Sequence, residues 1–117
     1  MNMYDEDIKA IAAVVLDLGD GLDVLAVGRN VHAYMDDLMQ YWGQSLGLRR
    51  LPDKMAIYTP ANNIVRFVSA QSNPESCRAF RGVVHIMPSV SRYEHSYPRW
   101  LEIQKIHERF RDARTNP

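Results

Sequence analysis

"LDVLAVGRNVHAYMDDLMQYW", Leu22 to Trp42, joins a short apolar run to a helical stripe across two polar residues, Arg29 and Asn30. The run from Leu22 to Gly28 is brief and punctuated by β-branched valines, which is the pattern of a buried strand. Beyond it, Asn30 is placed to cap a helix over Val31 to Leu46. The apolar stripe of that helix is Val31, Tyr34, Met35, Leu38, Trp42 and Leu46, and Gly47 supplies a stop. A buried strand feeding an amphipathic helix is the repeating unit of an α/β layer fold.

Working outward, the same alternation continues on both sides. Ile8, Ile11, Ala12, Val15 and Leu18 recur at helical spacing after the acidic residues Asp5, Glu6 and Asp7, and Gly19 and Gly21 follow, so residues 5–18 read as a helix. Downstream, "MAIYT" and "NIVRFVSA" read as strands joined by the turn residues "PANN". In "NPESCRAF", Asn73 is a cap and Pro74 the first residue of a short helix. "VVHIM" reads as the last strand, and "SYPRWLEIQKIHERFRDAR" as a helix with Ser96 near its start and an apolar face of Trp100, Ile103, His107 and Phe110. The longest linker is "SVSRYEHSYP". Residues 1–117 are therefore expected to form one α/β domain of three-layer type, a small mixed sheet flanked by helices.

The chain has 117 residues, enough for one hydrophobic core, and its 14 Lys and Arg balance 14 Asp and Glu. No global field marks a nucleic-acid or membrane protein. The distribution is uneven, however: Asp5, Glu6, Asp7, Asp17, Asp20 and Asp23 crowd the first part, while Arg78, Arg81, Arg92, Arg99, Lys105, Arg109, Arg111 and Arg114 outnumber the acids of the last third. Cys77 is the only cysteine, which excludes an internal disulfide and a cysteine-based zinc site and suits a reducing compartment. The acidic N-terminus is not that of a signal peptide, and Lys9 and Asp17 interrupt the first apolar run. The expectation is a soluble, cytoplasmic protein.

"DVLAVGRNVHAYMDDLMQYW", followed by "NNIVRFVSAQSNPESCRAFRGVVHI", resembles the RecA-like ATPase core of phage large terminases and helicase-type motors. The resemblance runs from about Ile8 to Met87 and rests on the order of short motifs: "AVGRN", then Ser69 and Ala70 ending a hairpin strand, then the Arg81-Gly82 pair and an apolar strand. It implies a RecA-like fold of phage or mobile-element origin. It also implies two losses. No "GxxxxGK[ST]" occurs, so the phosphate-binding loop is absent and the chain is expected to begin just past it. Pro88 and Ser89 stand where the family carries its metal-holding and water-activating acids. The resemblance thus implies a degenerate domain that is not an enzyme, with no cofactor. The alternative is half of a split terminase-like ATPase completed in trans by a phosphate-loop chain.

Other chemistry is weakly signalled. His85 alternates with Val84 and Ile86 and reads as a structural histidine, and a metal site from His85, Glu94 and His95 lacks recognisable ligand spacing. Cys77 reads as a small packed residue, and Asp36 and Asp37 as a solvated helix face. The candidate binding surface is Arg78, Arg81, Arg92, Tyr93, Tyr97 and Arg99, extended along the last helix by Arg109, Arg111 and Arg114. Arginines interleaved with aromatic rings suit DNA or a protein partner such as a motor or host protein. A homodimer is also expected, formed through a free sheet edge or the flanking helices, with Met3, Tyr4, Met35 and Met39 as adaptable apolar surface.

Overall fold

A computed structural model describes residues 3–18, 21–51 and 54–108, with the side chains of Met3 and Tyr4 excepted. Arg109, Phe110, Arg111 and Arg114 lie outside the described residues. The element order is α1 (Met3–Leu16), β1 (Val24–Gly28), α2 (Val31–Trp42), β2 (Arg49–Arg50), β3 (Ala56–Tyr58), β4 (Ile64–Ser69), a 3-10 turn (Pro74–Cys77), β5 (Val83–Ile86), α3 (Pro88–Tyr93) and α4 (Tyr97–Ile106). The five strands form one mixed sheet in the order β2-β3-β4-β1-β5. β1 runs parallel to both β4 and β5, whereas β3 is antiparallel to β4 and β2. This is the expected α/β architecture of a mixed sheet flanked by helices.

β1 sits inside the sheet, which is why its apolar run is nearly unbroken: Val24, Ala26 and Val27 are fully buried. Side chains alternate across the sheet. Val24, Ala26 and Gly28 face α2, since a Cβ built on Gly28 would meet the Tyr34 ring. Leu25 and Val27 therefore face the other way, together with their register partners Val84 and Ile86 on β5 and Arg66 and Val68 on β4. α1 packs on both α2 and α3 on the first side, and α4 packs on β5 and the 3-10 turn.

Local chemistry explains most boundaries. The hairpin turn expected at "PANN" forms with Asn62 in the left-handed region, φ 62°, and Thr59 N–H donates to the Asn63 carbonyl at 3.1 Å. Asn73 caps the 3-10 turn by accepting from Glu75 N–H, with Pro74 following it. α2 stops at Trp42, four residues before the expected end. The chain then turns through residues 43–47, closed by a hydrogen bond from Leu48 N–H to the Gly43 carbonyl at 2.8 Å with Gly47 at φ 66°. Asn30 occupies the cap position of α2, but its side chain accepts no cap hydrogen bond. Gly82 lets β5 start close against β1, because a Cβ there would lie 2.2 Å from the Asp23 carbonyl oxygen.

Two elements depart from the sequence reading. Residues 49–50 form a short edge strand, and "SVSRYEHSYP" is largely helical, with Tyr93 ending α3 and Tyr97 starting α4 rather than both lying in a loop. Both sheet edges are guarded. β2 presents two exposed arginines, and on the other side Gln104 of α4 donates to the outward-facing Val84 carbonyl at 3.1 Å. Met35 is fully buried, so it does not supply the apolar surface expected of it, whereas Met39 is half-buried against the core. No helix among the described residues is long and apolar enough to cross a membrane.

Candidate functional site

In open α/β sheets, ligands bind beyond the carboxyl ends of parallel strands. Here those ends belong to β4, β1 and β5, and the chain fills the space itself. A Cβ on Gly28 would lie 2.7 Å from Met87 Sδ and 3.1 Å from the Tyr34 ring. Asp7, fully buried on α1, accepts from Ser89 N–H at 2.9 Å, from Ser89 Oγ and from the Tyr34 hydroxyl. Its carboxylate thereby holds the start of α3 and ties α1, α2 and α3 together. Three donors satisfy the buried carboxylate, which makes no ion pair among the described residues.

Tyr34 is only 4% exposed, and burial, then the hydrogen bond to Asp7, pushes its phenol up to about 12. An unfolded tyrosine titrates near pH 10. The folded state thus holds this proton more tightly, so its contribution is whole below about pH 10 and is lost as pH rises toward 12, at most about 2–3 kcal/mol. Unfolding free energies measured across pH 9 to 12 should fall more steeply for the native chain than for Tyr34→Phe. Parallel curves would place the proton elsewhere.

Of the arginines singled out in the sequence, Arg78, Arg92 and Arg99 are engaged locally, in two places. On α3, Arg92 pairs with Glu6 at 3.4 Å, and Tyr93 lies under the guanidinium of Arg29, 5.3 Å from its ring centroid. Arg29 also donates to Glu94 at 3.1 Å. At the 3-10 turn, Arg78 makes two hydrogen bonds to Glu75, at 2.8 and 3.0 Å, and Arg99 donates to Asn73 at 3.1 Å. Arg78 holds the Glu75 carboxyl below its usual range. Arg81 is exposed at the opposite end of β5 from Arg92 and Tyr93, and Tyr97 is half-buried against the core. Cys77 is likewise half-buried against the core.

A second concave surface was not legible beforehand. On the sheet face that carries Leu25, a groove of about 480 Å³ is lined by Leu25, Leu51, Met55, Tyr58, Ile64 and Val68, together with the exposed cations Lys54 and Arg66. Arg49 stacks above Tyr58 at 5.7 Å from the ring centroid, while its neighbour Arg50 turns to the helix side and donates to Asp36 at 2.9 Å. The signal was present in "NIVRFVSA": Arg66 breaks the apolar run at a position sharing a face with Ile64 and Val68. The chain matches no protein-family model, no curated protein and no solved structure.

Proposed function

We propose that the chain is a non-catalytic binding module, an accessory protein of phage or mobile-element origin acting in the host cytoplasm. The order of motifs shared with terminase-type motors supports that origin. The observation that carries the non-catalytic reading is the crevice at the strand ends. Met87 and Tyr34 occupy the space over Gly28, and the buried carboxylate there is committed to Ser89 and Tyr34. A nucleotide entering that crevice would have to displace core side chains and break the tie that holds α3. A non-catalytic module then acts through surface that remains accessible, and the open sheet face supplies it.

Calorimetric titration with ATP in the presence and absence of magnesium tests this reading. The expected result is no magnesium-dependent heat and no phosphate release over the same period. Micromolar, magnesium-dependent binding by the isolated chain would overturn it.

A further inference from the structure

The helix layer over the sheet is unequal. On the side that Tyr34 faces, α2 and α3 contact the strands and α1 packs on both, whereas on the Leu25 side α4 contacts β5 and the 3-10 turn. What is left open there is the groove over β3, β4 and the edge of β1, with an aliphatic floor of Leu25, Leu51, Met55, Ile64 and Val68. The groove lies mainly over the antiparallel β3-β4 pair, where one open face is ordinary. What marks it is an apolar floor left only half-buried at Leu51, Met55, Ile64 and Val68, which fits the apolar stripe of a single helix.

The rim sets the chemistry of that helix. Arg29, Arg50, Arg78 and Arg92 each pair with an acid of the chain. Arg49, Lys54 and Arg66 make no ion pair among the described residues. Asp53, the one acid in that stretch of sequence, lies outside the described residues, and three cations outnumber it. Resting on the binding-module reading, we propose that this groove docks an acidic amphipathic helix of a protein partner. Its apolar stripe fills the floor, and its carboxylates meet Arg49, Lys54 and Arg66.

The floor favours this occupant over single-stranded nucleic acid. Base stacking needs open aromatic faces, and Tyr58 is half-buried with Arg49 already over its ring.

The test uses a synthetic peptide of about five helical turns, leucine on one stripe and glutamate elsewhere, against a scramble of the same composition and an oligothymidylate. Fluorescence anisotropy should show saturable binding of the amphipathic peptide alone. Arg66→Glu, at an exposed position that leaves the core intact, should weaken it by about tenfold or more, and Arg78→Glu should leave it unchanged. Equal binding of the scramble would reduce the surface to bulk charge and overturn the proposal. Tighter oligothymidylate binding lost in Arg66→Glu would make the groove a nucleic-acid surface, and a dimer dissolved by Arg66→Glu would make it a self-interface; either overturns the proposal, as does absence of binding. None of these outcomes touches the non-catalytic reading, which magnesium-dependent ATP binding alone reverses.

Discussion

Replacing Trp100 with alanine is expected to destabilise the fold by about 3–5 kcal/mol, the range for removing a fully buried aromatic side chain. Trp100 is the largest buried side chain, 0% exposed on α4, and its Nε1–H donates to the Ala70 carbonyl at 2.8 Å. It joins α4 to the end of β4, whose next link inward is Ala70 N–H to the Gly28 carbonyl at 2.8 Å. Ser96 Oγ donates to the same Ala70 carbonyl at 2.7 Å, so the acceptor is not orphaned and the loss is mainly one of packing. Trp100→Phe, which keeps most of the ring volume and removes the donor, should cost nearer 1–1.5 kcal/mol. Urea unfolding followed by circular dichroism separates the two. A Trp100→Ala loss below about 1 kcal/mol would mean that α4 is not docked as described. A domain with a total stability on the order of 5–15 kcal/mol has little margin beyond the expected loss.

Asp7→Ala should cost about 3 kcal/mol or more, through a different mechanism. Removing the carboxylate leaves Ser89 N–H, Ser89 Oγ and the Tyr34 hydroxyl without their shared acceptor in a buried position, and buried donors left unmet are expensive. The start of α3 also loses the acceptor that serves as its cap, since Met87 at the N-cap position supplies no side-chain hydrogen bond. The effect should be local as well as global: amide exchange at Ser91, Arg92 and Tyr93 should accelerate before that of β1 or β4. Asp7→Asn, which keeps one oxygen for Ser89 N–H, should lose less. Because Asp7 and Tyr34 share one hydrogen bond, the double variant Asp7→Ala with Tyr34→Phe should be clearly less destabilised than the sum of the singles. An additive result would show that the two residues act independently.

The contrast between Trp100 and Asp7 shows what the sequence made legible. Trp100 falls on a helical stripe with Ile103, so periodicity marks it as core, and both are fully buried. Likewise the run from Leu22 to Gly28, the turn at Asn62 and the cap at Asn73 carry their instructions within a few residues. Asp7 reads as one of three acids opening a helix. Its burial is decided by Ser89 and Tyr34, 82 and 27 positions away. For the same reason the sequence of α3 reads as linker. Its six residues have Pro88 at the start but no local side-chain cap, because the acceptor arrives from α1.

The arginines follow the same logic. A stretch rich in Arg predicts positive charge, but only the fold shows that Arg78 and Arg92 are matched by Glu75 and Glu6 while Arg49 and Arg66 make no ion pair among the described residues. Arg49 and Arg66 lie 17 positions apart in sequence, and only strand pairing brings them to one face: it places Arg66 opposite Ala56, two residues from Tyr58 beneath Arg49. Met35 erred in the other direction: its stripe on α2 was legible, but its use as surface was not, because α1 closes over α2.

An amide chemical-shift map of the chain titrated with the acidic amphipathic peptide locates the docking surface most directly. Shifts clustered at Leu51, Lys54 to Tyr58, Ile64, Arg66 and Val68, with the strand ends quiet, are the expected result. Shifts centred instead on Arg29, Tyr34 and Ser89, with β3 and β4 unmoved, would contradict it by showing that the crevice filled by the chain itself is where partners bind.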